Sequence, residues 1–156
     1  MASSVLPEPP LSKPENTREN TLAPPGDLAI LRFLSREDVM SVTIYHNPNC
    51  STSRKVLGWL TEKGVEPEIV QYLKTPPSAA ELKRILKLMG GAKAADILRR
   101  KGDAYEALGD VAKLKNDELI AAMVEEPVLI ERPIVITDKA AVLCRPPEKV
   151  WEVVKA

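Results

Sequence analysis

The stretch Val42-Thr-Ile-Tyr-His-Asn-Pro-Asn-Cys-Ser-Thr-Ser-Arg54 changes hydrophobic period within a few residues, and this constrains the chain more than any other feature. The β-branched and aromatic run Val42 to Tyr45 reads as a buried strand. His46-Asn47-Pro48-Asn49 breaks it, and a helical pattern with Val56, Leu57 and Leu60 on one face begins directly after Cys50. Cys50 therefore falls on a strand-to-helix turn, at or next to the helix N-cap, where unpaired N–H groups and the positive dipole end favour an anion. A thiol so placed is expected to ionise below the free value of about 8.5, such sites spanning roughly 3.5 to 7.5. The same N–H groups are suited to hold an oxyanion against the sulfur. The competing reading is a small buried apolar filler, the commonest role of a free cysteine. Asn-Pro-Asn before it and Ser-Thr-Ser after it are turn and cap residues, which favours the reactive reading.

Downstream, the first helix is expected over about 51–63, closed by Gly64. Ile69 to Leu73 reads as a second strand after Glu66-Pro67, so the unit is β-α-β with a parallel pair. Ser78-Ala-Ala-Glu81 is a capping box for a helix carrying Leu82, Ile85, Leu86 and Met89, ended by Gly90-Gly91. A short helix is expected around 94–100, then a loop with Tyr105. Another helix follows from about Asp117 to Glu125, with Asn116 as a candidate cap and Pro127 as its stop. Ile134 to Ile136 and Ala141 to Cys144 read as a β-hairpin. A closing amphipathic helix then carries Val150, Trp151, Val153 and Val154. The order β-α-β, helices, β-β-α predicts an α/β fold of the thioredoxin-like kind: a mixed sheet of about four strands, flanked by helices, with extra helices inserted between the two parts.

Residues 1–39 differ from the rest, holding six of the 14 prolines. The polar, aperiodic segment up to Gly26 is expected to be disordered, with a short amphipathic helix over 27–38 that Asp27 would cap. Met40 stands directly before the first strand, so the tail reads as an extension upstream of the natural start; mass spectrometry of the native N-terminus tests this. Lysine plus arginine balances aspartate plus glutamate at 22 each among 156 residues, which argues against nucleic acid or an acidic membrane surface as partner. Two cysteines make no disulfide framework, and no apolar stretch is long enough for a membrane span, so a soluble cytoplasmic protein is expected. With one histidine and two distant cysteines, no metal site is expected.

Several further segments carry a resemblance: Tyr72-Leu-Lys-Thr-Pro-Pro77, Ile97-Leu-Arg-Arg-Lys101 with Tyr105-Glu106, Leu129-Ile-Glu-Arg-Pro-Ile-Val-Ile-Thr137 and Leu143-Cys-Arg-Pro146. With His46 to Arg54, in this order, they make residues 40–156 similar to the glutaredoxin-coupled arsenate reductase family. The resemblance implies a thioredoxin-like arsenate reductase domain with Cys50 as nucleophile and Arg99, Arg132 and Arg145 as oxyanion ligands. Arg100 is the neighbouring alternative to Arg99. His46, Asn47, Ser53, Arg54 and Pro133 would support the site, with a cis bond before Pro133. Ser51 stands where the best-known members have glycine. The implied substrate is arsenate, with glutathione as co-substrate, glutaredoxin as partner and no bound cofactor.

The residues agree with that chemistry and restrict it. Arsenate at neutral pH is a mostly dianionic tetrahedron, and a thiolate approaching it meets repulsion of roughly 4 kcal/mol per unit pair at 4 Å and an effective dielectric near 20. Arginines neutralise that charge through partly bidentate bonds. Ser53 occupies the position that a Cys-x-x-Cys pair would need, so an external thiol must complete the cycle. Val56 occupies the place of the arginine in a cysteine phosphatase loop. Two other functions compete: a glutathione-dependent thiol reductase of unspecified substrate, and a redox regulator that binds RNA polymerase. Arg99 to Lys101 have a structural reading as cations ending a helix. Arg145 has one as a solvated strand end, and Cys144 reads as core, with a resolving thiol as its alternative.

Overall fold

The computed structural model describes residues 40–155; the helix expected over 27–38 and the rest of 1–39 lie outside them. Four strands, β1 (Val42–Tyr45), β2 (Glu68–Val70), β3 (Ile134–Thr137) and β4 (Ala141–Leu143), form one mixed sheet in the order β2-β1-β3-β4. β1 and β2 are parallel, with Ile44 opposite Ile69. β1 pairs antiparallel with β3 (Ile44 opposite Val135), and β3 with β4 (Val135 opposite Val142). The architecture is the thioredoxin-like one expected.

Alternation along the strands splits the core in two, because successive side chains of a strand leave on opposite faces. Val42, Ile44, Val135 and Val142 face helix α1 (Ser51–Glu62), through Val56 and Leu60, and the closing segment through Val150 and Val154. Tyr45, Ile134, Ile136 and Ala141 face α2 (Ala79–Leu88) and a later helix (Asn116–Glu125), through Leu82, Ile85, Leu119, Ile120 and Met123. β3 is buried at every position, as a central strand covered on both faces must be.

Several local expectations are corrected. β2 ends at Val70, because the chain turns at once: the Tyr72 N–H donates to the Val70 carbonyl at 3.0 Å. Only half of the capping box forms. Ser78 Oγ accepts from the Glu81 N–H at 3.2 Å, while the Glu81 carboxylate turns outward to Arg84 at 3.0 Å. The helix expected over 94–100 is a single 3-10 turn, Ala94–Asp96, followed by a bend at Ile97 and the bridge residue Leu98. Tyr105 lies not in the expected loop but in a short helix, α3 (Asp103–Ala107). Asn116 opens α4 (Asn116–Glu125) without capping it. Its Oδ1 accepts from the Ala94 N–H at 2.7 Å, while Glu118 Oε2 accepts from the Lys115 N–H at 2.6 Å. The closing helix, α5, is confined to Val150–Val153. The bond before Pro133 is cis, as expected, and so is that before Pro146. No helix among the described residues is long and apolar enough to cross a membrane.

Candidate active site

The turn from β1 to α1 is built by its own side chains. The His46 N–H extends the parallel ladder to the Val70 carbonyl at 2.9 Å. Asn47 Oδ1 then accepts from the Asn49 N–H at 2.9 Å, and the Asn47 carbonyl from the Cys50 N–H at 3.0 Å. This is the local bonding that makes asparagine a turn residue. Cys50 is the N-cap of α1, with extended backbone, and Ser51 is the first helical residue and exposed. Ser51, which stands in place of the family's glycine, is therefore not the residue that caps the helix. Ser53 reaches back under the turn: its Oγ accepts from the Asn47 N–H at 3.1 Å and meets His46 Nδ1 at 2.9 Å. All three of these residues are buried. Burial pushes the His46 imidazole below its ordinary pKa, against a smaller opposing pull from Ser53.

Cys50 is half-buried. Partial burial would raise its pKa, but the Ser53 N–H, the Arg132 guanidinium and the Thr52 N–H together outweigh that, and the thiol lies below its ordinary value. The two amides are at the positions that a capping side chain normally engages. The sulfur makes no capping hydrogen bond of ordinary geometry, so their influence here is the field of the helix end on a negative sulfur. Cys144 provides the contrast. It is fully buried, and desolvation pushes its thiol up to about 12. It is a core residue.

The arginines arrive by a connection that the sequence reading did not foresee. Leu98 and Ile130 form an isolated antiparallel bridge. The Arg99 N–H donates to the Leu129 carbonyl at 2.7 Å, and the Glu131 N–H to the Ile97 carbonyl at 2.8 Å. Arg99 thus stands on extended chain, which removes the reading of Arg99 to Lys101 as cations ending a helix. The bridge sets that segment beside Arg132, and the turn after β4 brings Arg145. Arg99, Arg100, Lys101, Glu131, Arg132 and Arg145 line one cleft of about 340 Å³. Arg99 is half-buried and Arg100 exposed, so the deeper of the two neighbours is Arg99. Cys50 is not part of the cleft wall; Arg132 is the side chain common to both.

Arg132 is 9% exposed, and its Nε and Nη1 have no hydrogen-bond partner among the described residues. A buried guanidinium left so is costly, and native interiors rarely tolerate it. Arg145 differs. Its Nε donates to the Arg132 carbonyl at 3.0 Å, and its Nη2 pairs with Glu131 Oε1 at 3.0 Å. Arg54 is exposed on α1 and lines no part of this cleft, while Pro133 is buried at the start of β3. Two neighbours of the site escaped the sequence reading. Tyr72 is fully buried, and its Oη lies 3.5 Å from the Ile130 carbonyl, within the fields of Arg132, Arg99 and Cys50. Glu131, directly before Arg132, pairs with Arg145 at the cleft. The sequence signals are a tyrosine two residues after the end of β2 and an acid directly before Arg132-Pro133.

One acidified thiol on a thioredoxin-like turn, adjoined by a guanidinium with free buried donors, defines a single-thiol protein equipped to meet an anion. Comparison with known proteins gives the lineage. The chain belongs to the ArsC family, whose model matches residues 45–153. It is 49% identical over 114 residues to the uncharacterized protein YfgD of Escherichia coli (strain K12), covering 72% of this chain and 96% of that one. It is 44% identical over 114 residues to an arsenate reductase of Escherichia coli, covering 72% and 80%. Among solved structures, an arsenate reductase from Vibrio cholerae matches with a TM-score of 0.70 and 45% identity, over 75% of this chain and all of that one.

Proposed function

We propose that this protein reduces arsenate to arsenite, that Cys50 is the nucleophile, and that glutathione and glutaredoxin supply the electrons. The observation that carries this reading is Arg132, whose buried Nε and Nη1 lack partners among the described residues, beside a thiol held below its ordinary pKa. A tetrahedral oxyanion supplies both what the guanidinium lacks and what the thiolate can attack. Relatives at 44% identity that bear the name arsenate reductase support the choice of anion.

In this reading Arg99, Arg132 and Arg145 hold the oxyanion, with Arg99 preferred to Arg100 for its depth. The Thr52 and Ser53 amides keep the sulfur negative. Ser53 and Asn47 hold the turn, His46 fills its underside, and Pro133 forms part of the wall; Arg54, out in solvent, is given no contact with the anion. The Cys50 thiolate bonds to arsenic, and an oxygen leaves as hydroxide, protonated to water. Glutathione then attacks. The two sulfurs give up two electrons as they join, arsenic falls from V to III, and arsenite leaves a Cys50–glutathione mixed disulfide. With Ser53 where a second thiol would stand, that disulfide passes to glutaredoxin. Residues 40–156 carry the activity, in the cytoplasm, and 1–39 take no catalytic part.

Arsenite release with glutathione, glutaredoxin and a reductant, for wild type, Cys50→Ser and Arg132→Ala, tests the reading. Turnover that ends with Cys50 and falls steeply with Arg132 supports it, and variants that match wild type refute it. Replacing glutathione and glutaredoxin by the thioredoxin system tests the donor separately. The alternative of a glutathione-dependent thiol reductase of another substrate draws support from Arg145, already engaged by Glu131. It predicts mixed-disulfide turnover without arsenite.

A further inference from the structure

The cleft that shares Arg132 with Cys50 is lined by five cationic side chains, Arg99, Arg100, Lys101, Arg132 and Arg145, and by one carboxylate, Glu131. Glu131 is not a stray surface acid. Its side chain is 19% exposed against 43% for Arg145, with which it pairs at 3.0 Å. Its N–H is tied to the Ile97 carbonyl at 2.8 Å, so the carboxylate is anchored on the bridge that also carries Arg99. A cleft meant only to gather negative charge gains nothing from an anchored carboxylate that takes up one of its guanidinium groups and repels the ligand.

A carboxylate in such a place does one thing the arginines cannot. An ionised carboxylate only accepts hydrogen bonds, whereas arginine and lysine only donate them. A tetrahedral oxyanion that keeps a proton at neutral pH, as arsenate and phosphate do, can donate that O–H to Glu131 while its bare oxygens accept from the guanidinium groups. Such O–H···O⁻ bonds are short and strong. Sulfate, of nearly the same shape, has no proton to give at neutral pH. Its oxygen would face the carboxylate oxygen as acceptor against acceptor.

We propose that Glu131 is a specificity-determining residue that reads the proton on the oxyanion, admitting hydrogen arsenate and hydrogen phosphate and rejecting sulfate. The proposal rests on the arsenate reading above and adds to it the class of anion the cleft accepts. Arg145, held by Glu131, supplies the adjoining donor, so that one pair offers both an acceptor and a donor to the anion. Sites that hydrogen-bond a substrate hydroxyl discriminate strongly against the analogue lacking it, because their own polar group is then left unpaired.

The experiment is protection of Cys50 from iodoacetamide by arsenate, inorganic phosphate and sulfate at matched ionic strength, on the full chain, with calorimetric titration of phosphate and sulfate alongside. For wild type, sulfate should bind more weakly than phosphate by about tenfold or more, and Glu131→Gln, which can donate as well as accept, should narrow that gap to within about threefold. Thermal unfolding of the variant checks that it folds, and the wild-type ratio is decisive without any variant. Equal binding of sulfate and phosphate by wild type overturns the proposal, as does an unchanged ratio in folded Glu131→Gln. If sulfate competes equally while arsenite is still released, only the role of Glu131 falls. If none of the anions binds or protects Cys50, the arsenate reading falls with it.

Discussion

Cys50 heads α1 beside two amide groups and the Arg132 guanidinium, whereas Cys144 follows β4 among Val135, Val142 and Val150. The first thiol is pulled below its ordinary pKa, and the second is pushed up to about 12. Both are desolvated, Cys144 fully and Cys50 only in part, and the balance of burial against donors separates them. At Cys50 a helix end and an arginine overcome the cost of desolvation; at Cys144 the neighbours are aliphatic, and the Val135 backbone amide offsets only a small part of the cost of full burial. Reactivity in this domain follows from shallow burial together with the partners that the turn supplies.

Four substitutions sharpen or break that contrast, taken from the largest effect downward. Cys50→Ser should abolish arsenite release, leaving Cys144 intact and unable to replace it. Arg132→Ala should lower kcat/KM by about 10²–10³-fold, the scale found for removing one preorganised donor from a developing anion. It should also leave stability unchanged or raised in chemical denaturation, since it removes a buried charge whose Nε and Nη1 have no partner. A large loss of stability would mark Arg132 as structural. Cys144→Ser should cost about 1–3 kcal/mol of stability by burying a hydroxyl among apolar side chains, with turnover unchanged. In the same vein, iodoacetamide should label Cys50 in the native protein and Cys144 only after unfolding. Arg145→Ala should have the smallest effect on turnover, about tenfold or less, because its partly exposed guanidinium is already shared between Glu131 and the Arg132 carbonyl.

The sequence made the β1–α1 junction legible because there the hydrophobic period, the turn residues and the cap residues agree. Ser78, the parallel β1–β2 pair and the β3–β4 hairpin were readable for the same reason. The segment around 94–100 was not. Ala94-Ala95-Asp96-Ile97-Leu98-Arg99-Arg100 has good helical propensity, but Leu98 pairs with Ile130 across the fold, and a tertiary bridge outweighs a weak local preference. That override converts Arg99 from a helix-end cation into a wall of the cleft. Asn116 misled in a similar way, since its side chain satisfies Ala94 N–H from another element instead of capping its own helix. The candidate site was legible as a set of residue types, through resemblance. The unpartnered state of Arg132, the grip of Glu131 on Arg145 and the nearness of Tyr72 depend on long-range contacts that no local pattern encodes.

The acidity of Cys50 and its dependence on Arg132 are tested together by the pH profile of iodoacetamide alkylation, with and without arsenate, in wild type and Arg132→Ala. Alkylation follows the thiolate, so the rate rises with pH and levels off above the thiol pKa. The wild-type inflection should lie below the ordinary thiol value, arsenate should suppress the rate, and Arg132→Ala should move the inflection upward and abolish the suppression. A wild-type inflection at or above the ordinary value, or a profile indifferent to both arsenate and Arg132, would contradict the account.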